Sequence, residues 1–314
     1  MAVRLGLVGG LIAATAGPIA AAAPPSADPE GTVVQELVVT SHLGGPAWWR
    51  VSNGASTVFI LGTPEALPKG LKWDQTLLDR RLEGANELIG PPTVSVGLGD
   101  AFALLNARKR FRSHGPMENS LAPDLRARFL ADRSTLTHDA RAYSGWTPLV
   151  ASLLMISDFR RKARLEERQP ASTVVRLARD RGLKVVASGT YRFVPLVRAV
   201  EVGQETSGPA CLADALDEIE AGAARVDRAA AGWARGDVAT ALSAQRGYEK
   251  CLASLPAGAD LPSKAMADAT AAIATALAKP GHSVAVVNLR PLVAQGGVLQ
   301  QLQARGFKVA TPNQ

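Results

Sequence analysis

The sequence predicts an α/β (α+β) fold with a mixed β-sheet core, an N-terminal β-hairpin, packed helices and a helical cap. Two β-rich runs, residues 47–51 and 57–61, flank an Asn-Gly turn, and this is a strong hairpin signal. A helical pattern, a glycine and a strand follow one another in residues 174–187 and again in residues 284–310, which indicates a mixed or parallel sheet covered by helices. Hydrophobic residues make up 47% of the chain and charged residues 20%, which fits a compact globule and argues against disorder.

Residues 1–23 are predicted to be a cleaved export signal. Arg4 provides a positive start, an apolar run follows at residues 5–16, and Ala20-Ala21-Ala22-Ala23 offers an Ala-x-Ala cleavage site. The run is well short of the roughly 20 apolar residues that a transmembrane helix needs. An uncleaved anchor and a chance Ala-rich start are the alternatives. We therefore expect a periplasmic or secreted protein, with a Gram-negative type of signal, that is not transmembrane after cleavage.

The remainder of the chain is predicted to be a short leader and one domain. Residues 24–32 are rich in Pro, Ala and charge, which is typical of a disordered leader. Residues 33–314 contain no linker long enough to argue for two independent units, so we expect a single domain. Within it, residues 33–40 alternate weakly between apolar and polar, which suggests a strand ahead of the hairpin.

Apolar periodicity predicts the later helices, and short β-branched runs predict the later strands. Helices are expected at residues 73–85, at 121–129 after a Ser120 N-cap, from 148 through 156, at 171–181 with Gly182 as the C′ residue, at 263–278 and at 298–304. Strands are expected at residues 88–89, 183–187, 283–287 and 307–310. The helices between residues 92 and 180 are expected to form a cap over the sheet, together with the cysteine-containing segment that follows.

Cys211 and Cys251 are the two cysteines of the chain. An even pair in an exported protein indicates a disulfide. Apolar residues at steps of three and four in residues 212–233 predict a long helix, Gly236-Asp237 predicts a turn with Asp237 as an N-cap, and a second helix is expected to end near residue 252. The disulfide would then clamp the open end of a helical hairpin. A catalytic thiol is the alternative, although nothing nearby in sequence would activate it.

The formal net charge of +7 raises the question of an anionic partner. Most of the charge is arginine scattered among acids on helical stretches, and the densest clusters are residues 108–112 and 160–162. Solvated helix faces account for such clusters. Weak association with an anionic surface, such as a membrane or an envelope polymer, is the alternative. No nucleic-acid-binding module occurs in the sequence, so nucleic acid is not an expected partner.

An ordered set of segments resembles the TraB/GumN family. The opening is carried by Trp48-Trp49-Arg50-Val51, by Val58-Phe59-Ile60-Leu61-Gly62-Thr63 and by Leu67-Pro68-Lys69-Gly70-Leu71-Lys72-Trp73. Residues 177–186 and the long helical hairpin are similar to the middle of the family, and residues 297–309 are similar to its ending. The resemblance covers nearly the whole of the predicted mature chain.

The resemblance implies a particular kind of site. It consists of a Gly-x-x-His after the first hairpin, acidic residues at two strand ends, and a second Gly-x-x-His near the C-terminus. Some animal members of the family are metal-dependent proteases. Imidazole and carboxylate groups at strand ends on one side of a sheet can converge on a divalent metal, which then activates a water molecule.

This sequence departs from the family at each of those positions. Gly62-Thr63-Pro64-Glu65 keeps the frame of the first motif but has Glu65 where His belongs. Gly90-Pro91 and Ser188-Gly189 stand where acids are expected, and Asn288-Leu289-Arg290-Pro291 replaces the second Gly-x-x-His. We therefore predict no catalytic residue, no metal site and no cofactor. The residues of the predicted vestigial cleft are Gly62, Thr63, Glu65, Ser188, Asn288 and Arg290.

No other motif supplies a catalytic site. The four histidines have no Glu, Cys or second His at ligand spacing; they are His42, His114, His138 and His282. The sequence contains neither a Gly-x-Ser-x-Gly elbow nor a phosphate-binding Gly-x-x-x-x-Gly-Lys. Residues 188–192 form the most polar strand end and are predicted to be a plain loop, with anion binding as the alternative.

Three functions follow from these observations. The first is a non-catalytic exported protein, a pseudoenzyme that keeps the scaffold and binds an unknown ligand in its cleft or cap. The second is a divergent metal-dependent hydrolase or peptidase that has rebuilt its site around Glu65 and Arg290. The third is an envelope-associated or polysaccharide-linked factor, which the family's occasional association with exopolysaccharide loci implies.

Overall fold

A computed structural model describes residues 28–312, apart from residues 98–99, 168, 245 and 256–259. The predicted export signal lies outside the described residues and stays a prediction, as do residues 24–27 of the predicted leader. Within the described part of the chain, no helix has the length and apolar character needed to cross a membrane.

The chain opens with strands, has a long run of consecutive helices ahead of its last long strand, and mixes strands and helices elsewhere. The strands are β1 Trp48–Asn53, β2 Ser56–Thr63, β3 Ala66–Pro68, β4 Glu87–Gly90, β5 Thr93–Ser95, β6 Leu165–Glu167, β7 Lys184–Ala187, β8 Thr190–Arg192, β9 Gly281–Asn288 and β10 Lys308–Ala310. The helices are α1 Thr76–Leu82, α2 Asp100–Arg110, α3 Pro123–Leu136, α4 Pro148–Lys162, α5 Gln169–Asp180, α6 Phe193–Ala221, α7 Ala223–Ala234, α8 Val238–Ala241, α9 Gly247–Ser254, α10 Asp260–Leu277, α11 Leu289–Val293 and α12 Val298–Ala304.

The mixed sheet that the sequence predicts is confirmed. Its six strands lie in the order β10-β1-β2-β9-β4-β7. Strand β1 is antiparallel to both of its neighbours, β10 and β2, whereas β2, β9, β4 and β7 run parallel to one another. Two small two-stranded sheets, β3-β6 and β5-β8, lie outside it. The predicted hairpin is β1-β2, which turns at Gly54 as the Asn-Gly signal indicates.

Successive side chains of a strand point to opposite sides of the sheet, and helices pack on both sides. Trp48 and Trp49 are neighbours in β1, and both are buried. The guanidinium of Arg81, in α1, stacks 4.5 Å from the ring centroid of Trp48 on one face. On the other face Trp49 lies beside Gly62 and the side chain of Leu289, the first residue of α11. One large core cluster therefore extends across the sheet.

The helical cap has its own apolar core. Phe129 of α3 and Met155 of α4 pack against Leu212 and Leu216 of α6. The predicted disulfide joins Cys211 of α6 to a cysteine of α9, with their Cα atoms 4.6 Å apart, and it is buried. The prediction of a disulfide-clamped cap is thus confirmed, and neither cysteine is a free thiol.

The helical hairpin between the cysteines is more broken than predicted. The expected long helix over residues 212–233 is α6 followed by α7, which separate at Gly222, where φ is +73°. The expected second helix is divided into α8 and α9. Asp237 is the N-cap of α8, as predicted, because its Oδ1 accepts a hydrogen bond from the Thr240 N–H at 3.0 Å.

Three local predictions are wrong. Residues 33–40 do not form a strand, because β10 already occupies the outer edge of β1; they contain a 3₁₀ turn, Gln35–Leu37, and isolated bridges to the rest of the chain. Ser120 does not cap α3, since its Oγ donates to the carbonyl of Met117 and the N-cap position is Ala122. Residues 188–192 are not a plain loop, because β8 pairs in parallel with β5.

The described end of the predicted leader has defined contacts. Asp28 and Glu30 form ion pairs with Arg246, and the carbonyl of Thr32 accepts a hydrogen bond from the N–H of Gln295 at 2.9 Å. The disordered leader expected at residues 24–32 stays a prediction. The domain boundaries themselves stay predictions.

Candidate functional site

A charged cleft opens where two central strands end. Thr63 and Asn288 are the last residues of β2 and β9, and they are direct partners in the parallel register. The chain continues from them into Glu65 and Arg290, so both connections emerge at the same edge of the sheet, where α/β proteins commonly bind ligands. The cavity at this edge has a volume of about 130 Å³.

We call this cavity the strand-end cleft. Its polar lining comes from the two strand ends, from α4, α6 and α9, and from the N-terminal segment. The polar lining residues are Glu30, Thr63, Glu65, Arg160, Glu218, Arg246, Glu249, Asn288 and Arg290.

The two strand ends are joined by side-chain hydrogen bonds. Asn288 Nδ2 donates to Glu65 Oε2 at 2.9 Å, and Thr63 Oγ1 donates to Asn288 Oδ1 at 3.5 Å. The family resemblance implies histidine at the position of Glu65. Here the Glu65 carboxylate instead accepts a hydrogen bond from the side-chain amide of Asn288, the first residue of the segment that replaces the second motif. The two motif positions are therefore adjacent in space.

Arg160 forms the wall of the cleft on the α4 side. Its Nε and Nη2 donate to Glu218 Oε1 at 3.2 and 3.0 Å, and its Nη1 donates to Glu167 Oε1 at 2.8 Å. Arg160 and Glu218 are both buried. Burial disfavours the cation, but the negative charges of Glu218 and Glu249 outweigh it and raise the pKa of Arg160.

Arg160 corrects our interpretation of one basic cluster. In sequence, Arg160-Arg161-Lys162 is typical of a solvated helix face, and Arg161 and Lys162 are indeed exposed. Arg160, however, continues a buried stripe of α4 that includes Ser152 and Ile156, at steps of four residues. This period was visible in the sequence and could have identified Arg160 as an inward-facing cation.

The N-terminal segment closes another side of the cleft through Arg246. Arg246 Nη1 lies 2.5 Å from Asp28 Oδ2, and Nη2 lies 3.3 Å from Glu30 Oε2. Burial opposes ionisation of Asp28, but hydrogen bonds from Arg246 and from the N–H of Glu30 lower its pKa. For Glu30 burial prevails, and its pKa is raised. Arg246 Nε is buried without a hydrogen-bond partner among the described residues.

Glu249 is a carboxyl group of the cleft whose pKa is raised to near neutrality. Burial, and then the negative charges of Glu65 and Glu218, raise its pKa to about 7. The cation nearest to it is Arg160, whose Nη2 is 3.9 Å from Glu249 Oε1. Glu249 Oε2 is buried and has no hydrogen-bond partner in the part of the chain that the structure describes. A carboxyl group with such a pKa can hold or release a proton at physiological pH.

Arg290 is a half-buried cation beside these carboxylates. Its Nη2 donates to the carbonyl of Leu242 at 2.7 Å. Within the described residues, no carboxylate oxygen lies within 4.0 Å of its guanidinium, in contrast to Arg160 and Arg246. Burial and then the positive charge of Arg246 lower the pKa of Arg290. Its guanidinium therefore has donors available to a bound molecule.

The structure brings together four of the six residues predicted for the vestigial cleft: Thr63, Glu65, Asn288 and Arg290. Gly62 lies outside the lining, where it is packed against Trp49 and Leu289 and its carbonyl accepts a hydrogen bond from Trp233 Nε1 at 2.7 Å. Ser188 is also outside the lining; it is buried, and its N–H donates to the carbonyl of Gly90 at 3.0 Å.

The lining does not fit the metal site that the family resemblance implies. No set of three or more His, Cys, Asp or Glu side chains able to hold a metal occurs among the described residues. Pro291 has no donor atom in its side chain, and the positive charge of Arg290 in the same cavity opposes a divalent cation. His282 lies elsewhere: its ring packs against Phe59, and its Nε2 is 3.1 Å from the carbonyl oxygen of Arg81.

The fold and cleft define a mixed α/β protein with a charged cavity at the ends of its central parallel strands and a disulfide-clamped helical cap. Residues 47–311 match the model of the TraB/PrgY/gumN family. The chain therefore belongs to the TraB/PrgY/gumN family. Searches of the curated proteins and of the solved structures gave no match.

Proposed function

We propose that this protein is an exported, non-catalytic member of its family that binds a small molecule in the strand-end cleft. The observation that carries the proposal is Arg290, a half-buried guanidinium that lies where the family resemblance implies a metal-binding motif. A fixed positive charge at this position replaces the charge of a metal ion and favours an anionic group instead. It cannot supply the activated water of a metal-dependent hydrolase.

The metal content of the purified mature protein tests this proposal. We expect no stoichiometric Zn, Mn or Co by elemental analysis, and no rise in melting temperature when these ions are added. Tightly held metal at one equivalent per chain would contradict the proposal, because a binding cleft built around Arg290 has no place for it.

A designed gain of metal binding checks the correspondence of the two motifs. Glu65 and Pro291 line the same cavity, so Glu65→His combined with Pro291→His should create zinc affinity that the wild-type protein lacks. Each single substitution is the matched control and should bind zinc weakly, because one imidazole is not a site. If the double variant binds no better than the single variants, the two positions do not correspond to the family's motifs.

The alternative is a divergent metal-dependent hydrolase or peptidase, and one observation favours it. Glu249 has a pKa near 7 within a cleft, as a general acid or base requires. Hydrolysis of ester or peptide substrates with added Mn or Zn, abolished by Glu249→Gln but retained in Glu166→Gln, would establish the enzyme. Glu166 is a suitable control because it pairs with Lys69 outside the cleft lining.

A further inference from the structure

The charges of the strand-end cleft are mostly paired within the protein. Arg160 is bonded to Glu218 and Glu167, and Arg246 is bonded to Asp28 and Glu30. These pairs keep the walls of the cavity together and occupy most donors of the two cations, although Arg246 Nε has no hydrogen-bond partner among the described residues. A bound molecule must therefore be recognised chiefly by the groups that are not in such pairs.

Two groups of opposite charge lack a hydrogen-bonded ion pair of this kind, since the contact of Glu249 with Arg160 is 3.9 Å long. Arg290 donates to one backbone carbonyl and has no carboxylate oxygen within 4.0 Å among the described residues. Glu249 has its nearest cation at 3.9 Å and a buried Oε2 that lacks a hydrogen-bond partner in the same part of the chain. Both groups line the same cavity, and the guanidinium of Arg290 lies more than 4.0 Å from the carboxylate of Glu249. A buried polar atom without a partner is costly, so a molecule that reaches it would be favoured.

The size of the cavity limits what can bridge the two groups. A single water molecule requires roughly 10–15 Å³ of comparable volume, so a cavity of about 130 Å³ holds several waters or one small organic molecule. Of a larger molecule, only one small group would fit inside it.

On this basis we infer that the cleft binds a small zwitterion of the amino-acid type, with its carboxylate on Arg290 and its ammonium on Glu249. The inference rests on the proposed binding function and adds the class of ligand. A guanidinium is suited to a carboxylate because it can donate two parallel hydrogen bonds. An ammonium can donate to the unpartnered oxygen of Glu249, and the nearby charge of Glu65 adds to the attraction.

Ligands with a single charge fit less well for a physical reason. Acetate would satisfy Arg290 but would place its charge close to the carboxylates of Glu65 and Glu249. Methylamine would satisfy Glu249 but would leave Arg290 without a counter-charge and bring a second cation near it. An α-amino acid carries both charges within the length of one small molecule, and it leaves neither protein group unpaired.

Isothermal titration calorimetry with glycine, alanine and lysine, against acetate, methylamine and phosphate, tests the inference on the mature protein. We expect the amino acids to bind at least about tenfold more tightly than any ligand of single charge sign, which corresponds to about 1.4 kcal/mol. Arg290→Lys and Glu249→Gln should each weaken amino-acid binding about tenfold or more. Arg176→Gln is the matched control, since Arg176 is an exposed residue of α5 paired with Asp180, and it should bind like the wild type.

The outcomes separate this inference from the function on which it rests. Equal affinity for acetate and glycine would contradict recognition of a zwitterion. Amino-acid binding that is unchanged in both Arg290→Lys and Glu249→Gln would contradict it too, and either result leaves the proposal of a binding cleft standing. No binding of any of these compounds by the folded wild-type protein also overturns the zwitterion. Stoichiometric metal in the wild-type protein overturns the proposed function instead. Circular dichroism of each variant shows that it is folded before its affinity is compared.

Discussion

At Gly62, the main chain of β2 runs so close to α11 that no side chain can be added without displacement. A Cβ atom at this position would lie 2.6 Å from Leu289 Cδ1 and 3.0 Å from Trp49 Cζ3. We expect Gly62→Ala to lower the free energy of unfolding by about 1–3 kcal/mol through overpacking. Urea denaturation of the purified protein measures this loss.

Gly115→Ala is the control for that substitution. A Cβ atom added at Gly115 would meet no heavy atom of the described residues within 4 Å, so this substitution should leave the unfolding midpoint nearly unchanged. Equal stability of both variants would show that α11 moves away from β2 at little cost. Close packing against α11 would then not explain why the first motif has a glycine at position 62.

Glu249 gives the protein a characteristic dependence of stability on pH. Its pKa is about 7 in the folded protein, against 4.5 as its ordinary value. Between pH 4.5 and 7, Glu249 therefore keeps its proton in the folded state and loses it in the unfolded state. The contribution of Glu249 to the free energy of unfolding accordingly decreases as the pH rises from about 4.5 through 7. We expect Glu249→Gln, which cannot ionise, to gain stability relative to the wild type as the pH is raised from 5 to 8.

The measurement is the difference in unfolding free energy between Glu249→Gln and wild type at several pH values. Glu83→Gln, at an exposed carboxylate after α1, should show a difference that does not vary in this way. A constant difference for Glu249→Gln would mean that the Glu249 carboxylate is stabilised in the folded protein as well as it is in water.

The site could be predicted from sequence only where its residues lie at the ends of core strands. Thr63, Glu65, Asn288 and Arg290 were found because their motif positions follow β2 and β9, whose pairing brings them together. Glu249 was missed because its place in the cleft depends on how α9 packs on α6, a long-range contact with no local pattern. Glu30, Arg246 and Glu218 were missed for the same reason. Arg160 alone had a local signal, its period in α4.

The disulfide belongs to the scale of the elements, because it clamps α9 to the middle of α6. The two cysteines are 40 residues apart in sequence. Closing a loop of this length stabilises the folded state by about 3–4 kcal/mol in the chain-entropy model. We therefore expect reduction to lower the unfolding midpoint of the purified protein, as measured in urea with and without dithiothreitol.

The double variant Cys211→Ala with Cys251→Ala supplies the control. It should start with the lower stability of the reduced protein and should not respond to dithiothreitol. A reduced wild-type protein as stable as the oxidised one would indicate that the apolar contacts of the α6–α9 interface suffice without the bridge.

The sequence predicts correctly the elements that have a strong local signal. It does not predict the elements that depend on contacts with distant parts of the chain. The Asn-Gly hairpin, the strand β9 and the N-cap of α8 are as predicted. Gly182 follows α5 with φ of +72°, as a C′ glycine does. The strand suggested for residues 33–40 fails because β1 has no open edge beside it, which only the position of β10 reveals. The break between α6 and α7 depends on the positive φ of Gly222. The spacing of apolar residues along the chain does not predict that backbone conformation.

For the molecule as a whole, export is the prediction that can be tested most directly. We expect the full chain, expressed in a Gram-negative host, to be recovered from the periplasm with its N-terminus near residue 24 and its cysteines oxidised. Leu11→Arg interrupts the apolar run of the signal, and it should leave the protein unprocessed, cytoplasmic and reactive toward maleimide. N-terminal sequencing and thiol labelling measure these outcomes.

Leu11→Val keeps the apolar run and is the matched control, so it should be processed like the wild type. An intact N-terminus and free thiols in the wild-type protein would contradict export. The disulfide would then have to form by another route, since reducing compartments keep most thiols unpaired.

The pairing of β2 with β9 has a consequence for the order in which the protein is made. Residues 56–63 lie beside residues 281–288, and the other edge of the same hairpin is covered by residues 308–310. Both edges of the first hairpin therefore wait for strands that are synthesised much later than the hairpin itself. A hairpin that forms during synthesis would present unpaired strand edges, which are prone to aggregation. Completion of the sheet, and with it the strand-end cleft, is thus delayed until residues 281–310 have been synthesised.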